Sequence, residues 1–262
     1  MTRFKIALVI IAFLAVSCEE MNSLFKEKEE NGLTEEEVVK GLKTALEVGA
    51  DTAVAVTSEE DGFYKDEAIK IMLPPEAEGI YEHKDNEMLQ SLGIEQLLED
   101  AVLSINRSAE DAASEASPIL EEAILDLSIS DGWDILNGKN PADSAGEQEV
   151  FDSTAATQYL ISTTYNELFS IFKPKIKNSL DKKLVGDMSS LQIWNDLTVG
   201  YNTVARHSME METVETELDT YVTGEALDGL FHKVAKEEKE IRKNPAKWAG
   251  TLVEDILKKV FS

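Results

Sequence analysis

Cysteine is almost absent from this chain, with one residue, Cys18, in 262. Disulfide scaffolds need cysteines in pairs, and a structural zinc site needs more sulfur and imidazole than one Cys and three His supply. Positive charge is scarce too: 25 Lys and Arg stand against 51 Asp and Glu, a formal charge of −26. Nucleic-acid binders displace counterions from phosphate with clustered cations, so that class is excluded. Aromatic residues make up only 7 %. What is present is a hydrophobic fraction of 43 %. That is too much for a wholly disordered chain, and the length allows one sizeable core or two small ones.

The apolar run over residues 6–16 has eleven residues, against the 20 or so of a membrane-spanning helix. With Arg3 and Lys5 before it, it fits the charged and hydrophobic regions of a secretory signal. It ends Leu14-Ala15-Val16-Ser17-Cys18, which resembles the lipobox of bacterial lipoproteins, with Ala15 where Leu is commoner. The resemblance implies cleavage before Cys18, a diacylglycerol on its sulfur and acylation of the new amine. A lone thiol is unusual in an exported protein, and here the modification would consume it. Several long acyl chains anchor firmly, at about 0.8 kcal/mol per buried methylene. Glu19, rather than Asp, follows the cysteine, and proteobacterial sorting rules then point to the outer membrane of a Gram-negative cell.

Removing residues 1–17 leaves 23 basic and 51 acidic residues, a charge of −28. Residues 18–32 read as the lipidated cysteine and an acidic tether reaching roughly 20 Å as a random coil. Residues 33–262 read as one mostly α multi-helix domain. Thr34-Glu35-Glu36-Glu37 is a capping box, followed by a stripe of Val38, Leu42, Leu46, Gly49, Ala53 and Val56. A second stripe runs Leu98, Ala101, Ile105, Ala109, Ala112 and Ala116, with Pro118 breaking it before residues 119–127. A third helix begins near Asp152 and carries Tyr159, Leu160, Leu168, Phe172, Ile176 and Leu180, with a kink expected at Pro174. A fourth follows Thr223, and a last one follows Asn244-Pro245, burying Trp248, Leu252, Ile256 and Val260. Small residues on the first two stripes predict closely packed helices.

Residues 58–75 break the rhythm. A turn at Asp61-Gly62 and alternation at Ile69, Ile71 and Leu73, stopped by Pro74-Pro75, predict a short extended or β-hairpin-like segment. Residues 138–151 and 208–217 read as loops. Lys173, Lys175, Lys177, Lys182 and Lys183 form a basic run that reads as a solvated face offsetting acidic neighbours, or as a contact for anionic headgroups.

No catalytic constellation is evident. Ser170-Ile171-Phe172-Lys173 and Ser179-Leu180-Asp181-Lys182 match the Ser-x-x-Lys of penicillin-recognising enzymes, but the accompanying Ser-x-Asn and Lys-Thr-Gly elements are missing in order. Glu225, Asp228 and His232 share a helix face, where a surface ion pair is a simpler account than a metal. Acidic residues around Asp61 and Asp66 lack EF-hand spacing. Polar residues within apolar stretches are more informative. Asn106, Arg107, Tyr159, Tyr201 and Asn202 either knit helices together or line a ligand pocket, because buried polar groups must be paired. No metal or cofactor is expected.

Longer segments resemble the bacterial family called domain of unknown function 4197. They include Ile105-Asn106-Arg107-Ser108-Ala109-Glu110, Ala155-Ala156-Thr157-Gln158-Tyr159-Leu160 and, most specifically, Tyr221-Val222-Thr223-Gly224-Glu225-Ala226-Leu227-Asp228-Gly229-Leu230-Phe231. The similarity spans roughly residues 38–262. It departs at the loops 139–151 and 208–217, and at Lys247-Trp248-Ala249. The resemblance implies an exported, mostly helical protein and supplies neither activity nor catalytic residues. The expectation is a lipid-anchored envelope protein acting as a non-catalytic binding or interaction module. It would reach the membrane through acyl chains on Cys18 and engage an envelope protein or a small ligand, with no role for nucleic acid. An envelope hydrolase is the alternative, or a carrier of an apolar ligand in a cavity lined by Phe169, Phe172 and Leu230.

Overall fold

The computed structural model describes residues 32–130, 132–142, 151–248 and 254–261. The signal segment, Cys18 and the tether up to residue 31 lie outside them. Among the described residues there are ten α-helices and no strand, so the fold is mostly α in a single domain.

Helix α1 (Glu35–Thr57) starts at the capping box read from the sequence. Glu37 N–H donates to Thr34 Oγ1 and Thr34 N–H donates to the Glu37 carboxylate, each at 3.2 Å. Val38, Leu42, Leu46, Gly49 and Ala53 are buried, but Val56 is 43 % exposed. A period of 3.6 carries the stripe from Ala53 to Thr57, not to Val56.

Short helices α2 (Glu78–Glu82) and α3 (Glu87–Ser91) lead into α4 (Ile94–Ala113), whose predicted stripe is buried throughout. Pro118 lies in the first turn of α5 (Ser117–Asp126), where its missing N–H leaves no hydrogen bond unmade. After α6 (Gly132–Leu136) comes α7 (Ala155–Leu180), which continues through Pro174 to its end. Helix α8 (Ser190–Ala205) has its own capping box from Ser189 and Gln192.

Helix α9 (Leu218–Lys243) starts earlier than Thr223, because Leu218 and Val222 extend the buried stripe backwards in steps of four. Asn244-Pro245 opens only a short 3-10 turn (Pro245–Trp248), and α10 (Glu254–Phe261) begins later. Leu257 and Val260 are buried on α10; Leu252 lies outside the described residues.

Helices α1 and α9 form the central pair, α7 packs on α4, α5 and α9, α8 covers α4, and α10 lies on α1. Two glycines set the distances. A Cβ on Gly49 would stand 3.2 Å from Val234 Cγ1, and one on Gly41 only 2.5 Å from Val260 Cγ2. Small residues on α1 thus admit both neighbours: Gly49, on the predicted stripe, admits α9, and Gly41, beside it, admits α10.

Residues 58–69 run mostly through bends and turns, in which Asp61 has φ +71, and residues 70–74 follow as irregular backbone with no helix or strand. No strand pairs with residues 70–74. The Asn106 side chain does the pairing: Ile71 N–H donates to Oδ1 at 2.9 Å, and Nδ2 donates to the Ile71 carbonyl at 2.7 Å. A carboxamide offers a donor and an acceptor side by side, as a strand residue does. Asn202 brackets Val214 in the loop before α9 in the same way, at 2.8 and 2.9 Å. That loop is therefore fastened to the body of the domain.

Candidate functional site

The five polar residues singled out by the sequence occupy separate neighbourhoods. Asn106 and Asn202 hold backbone that lies outside the helices, at Ile71 and Val214. Arg107 donates to Glu110 and Asp61, both at 2.6 Å, and lies 5.6 Å from the Tyr64 ring centre. Tyr201 is buried, with its hydroxyl beside Gly79. Tyr159 alone lines the groove described below, and its hydroxyl donates to the Ser128 carbonyl at 2.7 Å.

Other candidates are engaged with neighbours. Ser179 and Lys182 both donate to Asp111, while Lys173 and Lys175 face Asp219 and Glu115 at 3.6 and 2.5 Å. Three cations of the basic run therefore meet carboxylates. Phe172 and Leu230 are packed into the core, and Phe169 lies at its edge. Both aspartates of the 58–67 turns are also paired, Asp61 with Arg107 and Lys65, and Asp66 with Lys233. These partners hold both carboxyls below the usual range; Lys65 contributes most for Asp61 and Lys233 for Asp66.

Glu225, Asp228 and His232 do share one face of α9, with Lys70 opposite, lining a hollow of about 230 Å³. Burial, then Asp228, raises the Glu225 carboxyl above its ordinary value. Burial, with Asp228 and Glu225 adding repulsion, pushes the Tyr165 phenol up to about 12. Among the described residues no group of three His, Cys, Asp or Glu is placed to hold a metal ion.

A concavity with a volume near 460 Å³ lies between α5 and α7. That is within the range of small-molecule sites, about 300–1,000 Å³. Its floor is apolar: Ile119, Ala123 and Leu127 come from the α5 side, Leu168 and Ile171 from α7. Leu127 and Leu168 are buried, whereas Ile171 is 43 % exposed at the mouth of the groove. Glu122, Asp126 and Glu167 line the same groove, and no Lys, Arg or His does.

Helical spacing builds both walls. Ile119, Glu122, Ala123 and Asp126 recur at steps of three and four on α5, as do Thr163, Glu167 and Ile171 on α7. On the α7 wall the hydroxyl protons are already directed inward. Thr163 donates to the Tyr159 carbonyl at 2.7 Å, and Thr164 to the Leu160 carbonyl at 2.6 Å.

Sequence reading missed Glu122, Asp126, Glu167 and Ile171. The available signal was an aliphatic residue three after buried Leu168, with acids four apart on the preceding helix.

No helix of the described residues is long and apolar enough to cross a membrane. No curated protein and no solved structure matches the chain. A family model described as a protein of unknown function, DUF4197, matches residues 32–262, nearly the whole chain. With the polar residues of its most specific segment placed on α9, the chain belongs to the DUF4197 family.

Proposed function

We propose that this protein is a lipid-anchored component of the bacterial cell envelope, held at the outer membrane by acyl chains on Cys18. Its helical domain is a non-catalytic binding module whose ligand enters the α5–α7 groove. The groove carries this reading: it joins an apolar floor to three carboxylates, Glu122, Asp126 and Glu167, that no cation of the described residues pairs. Elsewhere among the described residues the buried polar side chains, Trp133 apart, are engaged with backbone or with each other. Among the described residues one buried side-chain polar atom, Trp133 Nε1, lacks a partner. Residues with that much work in the fold are poor candidates for chemistry. The anchor rests on the lipobox-like residues ending at Cys18 and on the tether after them.

Both parts are tested in the native host. Cys18→Ser is expected to release the protein from membranes and leave its precursor uncut; retention on membranes refutes the anchor. Native mass spectrometry of the whole chain, purified from envelopes, is expected to show a small bound molecule. Ala123→Trp, which fills the groove, removes it; the same adduct on that variant places binding elsewhere.

A further inference from the structure

We infer that the α5–α7 groove selects a cationic amphiphile: an aliphatic or aromatic body carrying an ammonium or guanidinium head. This inference rests on the groove being the binding site and adds the class of ligand. Three observations carry it. The floor, from Ala123 and Leu127 across to Leu168 and Ile171, gives an apolar body a place to lose water, worth about 25 cal/mol per Å² buried.

The rim is of one sign. Glu122, Asp126 and Glu167 line the groove, and no cation is within ion-pair distance of any of them among the described residues. Unlike Asp61, Asp66, Asp111, Glu115 and Glu238, which meet cations, these three carboxylates gather beside an apolar floor with their charge unneutralised.

The third observation concerns hydrogens. Thr163 and Thr164 donate their hydroxyl protons to backbone carbonyls, so these oxygens turn only lone pairs toward a ligand. Carboxylates likewise only accept. A ligand matched to these groups brings donors and positive charge, whereas a fatty-acid carboxylate would meet like charge and no donor on this wall. The volume suits one small molecule, not a helix of a partner protein, whose diameter with side chains is about 10–12 Å.

The test titrates the whole chain from Cys18 onward with decyltrimethylammonium, decanoate and decyl maltoside, each below its micelle concentration. Calorimetry gives affinity, and the methyl resonances of Ile119 and Ile171 report place. The cation is expected to bind most tightly and to shift both methyls. Glu122→Gln/Asp126→Asn/Glu167→Gln is expected to weaken it about tenfold, the modest loss that exposed charge pairs give. Decyl maltoside affinity should stay unchanged on that variant, which also confirms an intact fold. Ala123→Trp is expected to abolish binding of both.

Equal binding of decanoate, or an unchanged cation affinity in the triple variant, overturns the charge selection while leaving the groove as the binding site. Failure of every probe to move either methyl overturns the site itself. Tighter binding of a basic amphipathic peptide at the same methyls overturns the assignment to a small molecule.

Discussion

Glu238, late in α9, and Glu110, late in α4, lie in different parts of the domain and face a similar task. Each is a buried carboxylate that accepts two consecutive backbone N–H groups from a distant segment. Glu238 takes those of Ala156 and Thr157 at 3.1 and 2.8 Å, plus the Thr157 hydroxyl at 2.7 Å. These belong to the first turn of α7, whose own N-cap, Thr154, makes no side-chain cap. The glutamate thus caps α7 from outside and sets negative charge at its positive end. Glu110 takes the N–H groups of Phe63 and Tyr64 at 3.1 and 3.0 Å, fastening the turns after α1.

Each also has an arginine within a turn on its own helix, Arg242 and Arg107. The difference lies in where the remaining guanidinium protons go. Arg242 sends them to the carbonyls of Leu136 and Ile135 at the end of α6, at 2.8 and 3.0 Å. Arg107 sends them to Asp61, itself ion-paired to Lys65 and partly exposed. One cluster is closed by backbone at the centre of the fold, and the other opens to water. Burial makes a polar contact costly to break, because the abandoned partner cannot turn to solvent.

The largest effect should therefore come from Glu238→Ala. It orphans two N–H groups and a hydroxyl and leaves Arg242 buried without its counter-charge, an expected loss of about 3–5 kcal/mol in urea unfolding. Glu110→Ala should cost less, about 2–3 kcal/mol, since Arg107 keeps Asp61 and water reaches the vacated site. Equal losses at the two positions would break the comparison.

The two asparagine clips sharpen it at smaller scale. Asn106 is fully buried and bonds Val102 as well as Ile71, whereas Asn202 is half-buried at the loop before α9. Asn106→Ala is expected to cost about 2–3 kcal/mol and Asn202→Ala about 1 kcal/mol. Amide exchange should rise at Ile71 in the first variant and at Val214 in the second. Faster exchange at both sites in both variants would mean that the segments are held by packing and not by their clips.

These residues also mark how far the sequence was legible. Asn106 and Asn202 stood out because each is polar amid apolar neighbours, and the pairing requirement for buried polar groups follows from solvation alone. Their partners did not stand out: Ile71 is 35 positions away, and no local pattern encodes a contact made by folding. Glu238 was hidden in a run of charges, Glu237-Glu238-Lys239-Glu240, that reads as a solvated face. The helices and caps were plain because they depend on spacing over a few residues. The groove was not, because it arises from the way α5 and α7 meet, and its acids look on paper like any exposed helix surface.

The face of α9 around Glu225 offers the smallest test, and it shows the same chemistry with no arginine lining it. Burial pushes both Tyr165 and Tyr221 up to about 12, and Glu225 repels charge on either phenol. In the unfolded chain both titrate near 10. Between those values the unfolded state releases two protons that the native state keeps, so stability is full below pH 10 and falls as pH rises toward 12. Phenolate absorbance at 295 nm should show Tyr165 and Tyr221 ionising last, after Tyr81 and Tyr201, which burial also raises, and all six near 10 in guanidinium. Tyr165→Phe should remove one late proton and make the alkaline loss of stability shallower. Glu225→Gln should move the remaining phenols downward, because it deletes the repulsion while leaving the burial; an unchanged titration there would assign the whole shift to burial.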